Sequence, residues 1–264
     1  MAIALRQSGH RVIEIVSRNN AQSISRARKL AKQVGARAIT LRDAQFAKTT
    51  WICVPDDAIF EVASQIAARG DWRRKIAIHS SGALRSDALS PLKKAGAGIA
   101  SAHPLMTFVR ISKPEWKGVP FALEGDASAL VTVGAIVRSL GGKPFRIAAE
   151  LKPAYHLFGF FSSPALVALM VAAQQVGELA GFKQRKSREL MGPIVRQTIE
   201  NCLLTTPQLA FSGPLRRGDV ATLRKHLDVL KEHPELLTLY KSLSTIALKH
   251  LPVTNGEALK KLID

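Results

Sequence analysis

The stretch TWICVPDDAIFEVASQIAARGDWRRKIAIHSSG, residues 50–82, decides the fold. Thr50 to Val54 is a short apolar run of β-branched and aromatic residues ended by Pro55, the pattern of a buried strand. Asp56 or Asp57 can cap the next segment, a helical stretch near Ala58 to Ala68. Lys75 to His79 then reads as a second strand and Ser80-Ser81-Gly82 as a turn. Strand, helix and strand in about 30 residues make a βαβ unit, whose two strands run parallel.

The same alternation continues in both directions. Upstream, Ile3 to Ser8 reads as the tail of a helix stopped by Gly9, then a strand at Arg11 to Val16, a polar helix from about Ala21 to Val34 and a short strand at Arg37 to Thr40. Downstream come a helix through Leu92, a strand at Ile99 to Ala102, and a closing unit of Val119 to Glu124, Ala127 to Leu140 and Pro144 to Ile147. Repeated strand and helix predict an α/β fold with a parallel sheet. From about Glu150 the period becomes helical, with segments near Pro153 to Ala180, Arg185 to Leu204, Val220 to Leu230 and Pro234 to Lys249. The expected organisation is therefore a sheet domain over 1–149 and an all-helical domain over 150–264, each large enough for its own core.

Composition excludes several classes. The 47% hydrophobic and 22% charged residues are ordinary globular usage and leave little room for long disorder. Cys53 and Cys202 stand far apart without His or Cys neighbours at ligand spacing, so neither a disulfide framework nor a metal site is expected, and both read as buried reduced thiols. An early charge at Arg6 and the lack of a long apolar core argue against a signal peptide and for a cytoplasmic protein. Pro153 to Gly177 contains no Asp, Glu, Lys or Arg, but serines, glutamines and Pro164 interrupt it, so a helix buried between domains or subunits is preferred to a membrane span. The net charge of +18 would suit a polyanion. Its bias toward the first half, without interleaved aromatics, reads as a solvated basic surface rather than a nucleic-acid site. No hydrolase elbow, HExxH or Walker loop occurs.

In a doubly wound sheet, ligands gather at the carboxyl ends of the strands, which places Val54, Pro55 and Asp57, and Ser80, Ser81 and Gly82, as candidate cofactor contacts. Helix capping accounts for at least one of Asp56 and Asp57. After the strand ending at Val16, an NAD site tends to offer an acid to the ribose, whereas this chain has Ser17, Arg18 and Asn19. A hydroxyl and a guanidinium can both donate to a 2′-phosphate, so NADP is expected in preference to NAD, and no metal. A Rossmann domain should also open with an apolar strand and G-x-G-x-x-G, and this sequence shows neither. Either the first strand and Gly-rich loop lie upstream of Met1 or the site has lost its phosphate cradle.

The succession Gly9-His10-Arg11-Val12, Val54-Pro55-Asp56-Asp57, His79-Ser80-Ser81-Gly82-Ala83-Leu84, His103-Pro104-Leu105 with Thr107-Phe108, and Lys152 with Tyr155-His156 resembles one uncharacterised bacterial family. Gly213-Pro214, Arg217-Gly218-Asp219 and His226-Leu227 extend the resemblance over essentially the whole chain. Those proteins join a Rossmann-like NADP-oxidoreductase domain to a C-terminal helical domain of unknown function. More distantly the layout is similar to pyrroline-5-carboxylate reductase, ketopantoate reductase and the 3-hydroxyacid dehydrogenases, whose helical halves are of the 6-phosphogluconate dehydrogenase C-terminal kind. The resemblance implies a Rossmann-like fold, an NADP-dependent oxidoreductase and dimers formed through the helical halves.

Hydride transfer to a carbonyl or imine needs a proton donor nearby, and Lys or His are the usual choices. Lys152 and His156, four residues apart on one helical face, are the first catalytic candidates. A lysine at the corresponding place assists proton transfer in the resembling dehydrogenases. The bland alternative is a boundary lysine and a packed histidine. His103 and Ser163 are candidate substrate contacts. For His103 the alternative is a structural loop histidine. The resembling family commonly has a Ser-Asn pair where this chain has Ser163-Pro164, and the serine can equally bond to a backbone carbonyl. The expected function is an NADP-dependent oxidoreductase acting on a small oxo, imino or hydroxy compound in an interdomain cleft. The second reading is a non-catalytic cofactor sensor or degenerate dimer of the same fold. Nucleic-acid binding rests on charge alone. A homodimer through the helical domain is also expected, because an uncharged helix in a small domain is hard to cover within one chain.

Overall fold

A computed structural model of the chain describes residues 1–109 and 114–264. It divides into two compact units, Met1–Ala165 and Leu166–Asp264. The first unit holds α1 (Ala2–Gln7), β1 (Glu14–Ser17), α2 (Ala21–Val34), β2 (Arg37–Thr40), β3 (Thr49–Ile52), α3 (Ile59–Ala67), β4 (Ile76–His79), α4 (Ser90–Lys94), β5 (Gly98–Pro104), β6 (Pro120–Gly125), α5 (Ala127–Ser139), β7 (Lys143–Arg146) and α6 (Lys152–Ser162). Every strand expected from the sequence is present, within three residues at each end.

The strands differ from expectation in how they pair. The single parallel sheet is replaced by a two-stranded sheet, β1-β2, and a five-stranded sheet in the order β3-β4-β5-β6-β7. Among the described residues β1 hydrogen-bonds only β2, and β3 only β4. Four of the five pairings are parallel, whereas β6 runs antiparallel to β5. The reason is local: the described part of the connection from Pro104 to Pro120 carries no crossover helix, and a parallel pair needs one.

The five-stranded sheet is covered on both faces, as an α/β fold requires. On one face Ile78, Ala100, Ala102, Phe121 and Leu123 pack with Val133 and Val137 of α5 and Ala4 of α1. On the other, Ile52, Ala77 and Ile99 pack with Ile59 and Ile66 of α3, Leu92 of α4 and Trp72. Since side chains alternate along a strand, His79 shares the second face with Ala77, and Ser101 and His103 share it with Ile99. Three polar side chains are thus aimed at one side of the sheet near the carboxyl ends of β4 and β5.

The second unit is helical: α7 (Pro164–Leu179), α8 (Gln184–Leu204), α9 (Pro207–Ala210), α10 (Pro214–Arg217), α11 (Val220–Leu230), α12 (Pro234–His250) and α13 (Gly256–Ile263). Its buried apolar cluster is small, Leu223, Leu259 and Ile263. The one long helix expected from Pro153 to Ala180 is two helices. Pro164 cannot continue an N–H ladder and pushes Ser163 out of the helical region, to φ −140°. The helix α13 is not among the helical segments expected from the sequence.

The burial expected of the two cysteines is not found. Cys53 is exposed and Cys202 partly so, both as free thiols. The apolar run is open along α6 and α7, with Phe161 65% and Val167 59% exposed. The segment Ala149–Leu179 is long and apolar enough to cross a membrane by composition, although the break at Ser163 interrupts it.

Candidate functional site

The turn after β4 is the hub of a polar cluster within the first unit. The Ser81 hydroxyl donates to Asp56 Oδ2 at 2.6 Å and accepts from the backbone N–H groups of Ala83 and Leu84. This ties the loop after β3 to the loop after β4. His79 is fully buried. Its Nδ1 accepts from Ser81 N, so its Nε2 carries the proton and donates to the Arg85 carbonyl at 3.0 Å. With one nitrogen accepting and the other donating, His79 is a neutral, structural imidazole, and burial lowers its pKa against the opposing hydrogen bond to the Arg85 carbonyl. Trp51 Nε1 donates to Ser80 Oγ at 2.7 Å and anchors the other side of the turn.

Lys152 opens α6, with Pro153 in the first turn where its missing N–H costs nothing. Its ammonium is completely buried and donates to Ser101 Oγ at 2.6 Å and to the Ser81 carbonyl at 3.1 Å. Ser101 in turn donates to the same carbonyl. Burial lowers the Lys152 pKa to about 8, opposed by the charges of Glu124 and Asp56. Glu124 lies directly across the antiparallel ladder from Ser101, is buried, and accepts from both the N–H and the hydroxyl of Ser86.

At the edge of this cluster His103 Nδ1 lies 2.9 Å from Tyr155 Oη, the rings meeting edge to face. Tyr155 is one turn of α6 beyond Lys152 and therefore on the same face. Burial lowers the His103 pKa to about 4, with Lys152 and His156 adding to the shift, and raises that of Tyr155 to about 12. His156 is exposed, with its ring 6.4 Å from that of His103.

Gly82 lies where the two rings converge. A Cβ there would stand 2.8 Å from His103 Nε2 and 2.9 Å from His156 Cδ2, distances that real Cβ atoms do not tolerate. Gly82→Ala is therefore expected to displace the His103 ring and to cost about 1–3 kcal/mol of stability, as overpacking does. Denaturant unfolding with histidine NMR checks this; an unshifted His103 resonance would contradict it.

Lys152, His103, His156, Ser81 and Gly82 come together. Ser163, eleven residues beyond Lys152, stands about 16 Å farther along the helix axis, as the C-cap of α6. Its neighbour Ser162 bonds back to the Phe158 carbonyl. Ser17 and Arg18 stand at the end of β1, in the two-stranded sheet. The Ser17 hydroxyl is sealed from solvent without a hydrogen-bond partner, and Arg18 is exposed. Val54 is partly buried, while Pro55 and Asp57 are exposed at the end of β3. Among the described residues no group of three or more His, Cys, Asp or Glu could hold a metal ion.

Sequence reasoning missed Ser101, Glu124 and the role of Tyr155. The signals were weak: a serine two residues before His103 in an otherwise small apolar strand, and a tyrosine three residues after Lys152.

Residues 1–104 match a Rossmann-like domain, and residues 119–246 match DUF2520, a domain of unknown function. No protein of curated function matches the sequence. Among solved structures, a Bacteroides fragilis protein provisionally called an NADP oxidoreductase is 23% identical, with a TM-score of 0.75, covering 92% of this chain and 91% of that one. The Thermotoga maritima protein TM1727 is 26% identical, with a TM-score of 0.74, covering 92% of each chain. An imine reductase from Myxococcus stipitatus, solved with NADP+, is 16% identical, with a TM-score of 0.64, covering 99% of this chain and 95% of that one. The pairing of domains implied by the sequence resemblance is present.

Proposed function

Given a Rossmann-like domain joined to DUF2520, we propose that this protein is an NADP-dependent oxidoreductase acting on a small oxo, imino or hydroxy compound. The observation that carries the reading is the buried Lys152 ammonium beside His103 at the carboxyl ends of β4 and β5. A structural protein gains little from burying a lysine, since desolvation opposes it. A site where negative charge develops gains a fixed positive field in a dry environment. NADPH, when bound, supplies the hydride. Lys152 supplies charge, Ser81 and Ser101 hold it in place, and His103 and His156 face the open side.

The residues after β1 fit the cofactor's 2′-phosphate. A buried hydroxyl without a partner is an unmet hydrogen bond, and an exposed guanidinium nearby in sequence adds charge. NADPH is therefore expected to bind more tightly than NADH. Loss of the Arg18 contact, a hydrogen bond to a charged group, is worth about 1.5–3 kcal/mol, or roughly 10- to 100-fold in NADPH affinity. Tryptophan-fluorescence titration of the wild type and Arg18→Ala with both cofactors tests the assignment. Equal affinities, or an unchanged preference in the variant, would sink it. The assembly proposed is a homodimer built on the helical unit, whose α7 and α8 present apolar side chains to solvent.

A further inference from the structure

We infer that Tyr155 is a positioning residue that holds His103 in the Nε2–H tautomer, so that His103 presents a neutral N–H donor to an acceptor oxygen of the substrate, such as that of a carbonyl compound. The inference rests on the oxidoreductase reading for the hydride, and on independent geometry for the rest.

The tautomer is set by the partner. A phenol O–H donating to a bare imidazole nitrogen makes the better of the two hydrogen bonds available at 2.9 Å, because the phenol is the stronger acid of the pair and a carbon-bound phenolic oxygen is a poor acceptor. With Nδ1 accepting from Tyr155, the proton sits on Nε2. That nitrogen has no hydrogen-bond partner among the described residues, nor is it one of the side-chain atoms sealed from solvent without one. It is thus a donor turned to the open side, beside Gly82.

Charges of both signs surround the ring. Lys152 and His156 face His103 from α6, and Asp56 faces it from the loop after β3. Asp56 is occupied by the Ser81 hydroxyl, and Glu124, which faces Lys152 from β6, is occupied by Ser86. The Lys152 ammonium is held by Ser101 and the Ser81 carbonyl, so what remains unspent is the neutral His103 N–H donor. Desolvation and the neighbouring positive charge, opposed by Asp56, bring the His103 pKa to about 4, so the ring is uncharged at neutral pH and has a single N–H donor. A carbonyl oxygen that gains negative charge as hydride arrives is stabilised by that donor. An iminium, which has its own N–H and no lone pair on nitrogen, cannot accept from it. At His103 the event is a hydrogen bond, and no proton changes owner.

The test reads the protein itself. Long-range ¹H–¹⁵N correlation of the histidine side chains at pH 6 to 8.5 should show His103 with Nε2 protonated and Nδ1 bare throughout, and Tyr155→Phe should replace this by a mixture of tautomers. Formate, a small oxyanion, should shift the His103 Nε2 signals saturably, and methylammonium should not. An Nδ1–H tautomer in the wild type, which needs no variant to fold, would overturn the inference. So would a response to methylammonium and none to formate. NADPH affinity measured on the same sample separates the two readings: its absence overturns the oxidoreductase assignment alone, and the tautomer and formate results decide the role of the His103 donor.

Discussion

Lys152→Met is expected to remove roughly 10²-fold or more of the turnover, the scale of losing one preorganised electrostatic group, while the fold stays as stable as the wild type or becomes more so at pH 7. The two effects point in opposite directions for one reason. The ammonium is buried against Ser101 and the Ser81 carbonyl, so it loses more hydration than two hydrogen bonds return. Methionine fills a similar volume without a charge, and Ser101 still donates to Ser81 O. The pH dependence carries the same signature. Lys152 has a pKa of about 8 in the folded protein against 10.5 for the ordinary side chain. Between those values the unfolded chain binds the proton and the folded one does not, so wild-type stability rises with pH across that window. Below about pH 8 both states are protonated and the cost of the buried charge is fully felt. The stability gap between Lys152→Met and the wild type should therefore shrink from pH 8 to 10.5. Urea unfolding at pH 7, 8.5 and 10 measures it. A methionine variant markedly less stable at pH 7, or a gap that ignores pH, would show that the lysine is a structural element.

The parts of this molecule that were legible in the sequence are those set by neighbours along the chain. Residues 50–82 declare a βαβ unit because a β-branched run, a proline stop and a helical period succeed each other within one segment. Strand pairing is different. The separation of β1-β2 from the other strands and the reversal of β6 depend on contacts and connections that no local period encodes. The site divides in the same way. Lys152, His103 and His156 stand out by chemical type alone. Ser101 and Glu124 acquire a role only when the antiparallel register sets them opposite each other beneath the Lys152 ammonium. Tyr155 was visible as a residue one turn from Lys152, but its partner is 52 residues away in sequence. Asp56 looked like a helix cap and instead holds the Ser81 hydroxyl, a contact between two loops that only the parallel β3-β4 pair brings together.

The second large effect concerns assembly: a single charge placed at Leu169 or Val171 is expected to convert a homodimer to monomers at micromolar concentration. These residues lie on α7 and are 41% and 49% exposed, and Val167 and Val176 on the same helix are open as well. On α8, Ile194 is 68% and Leu203 80% exposed. The helical unit's own buried cluster, Leu223, Leu259 and Ile263, lies elsewhere, so its longest apolar helices are not consumed by its core. Large apolar side chains exposed along a helix mark an interface, and a twofold dimer covers the same helix on both partners at once. A lysine or glutamate buried there without a partner costs about 3–5 kcal/mol. Two symmetry-related copies enter each dimer, so the dissociation constant should rise by at least ~10²-fold. A lipid surface would exploit the same apolarity, and the two occupants behave differently without detergent: a dimer stays dispersed at a fixed mass, whereas a membrane segment aggregates. Light scattering of the detergent-free wild type, Leu169→Lys and Val171→Glu distinguishes them. A wild-type monomer at micromolar concentration, with a mass unchanged by either substitution, would rule the dimer out.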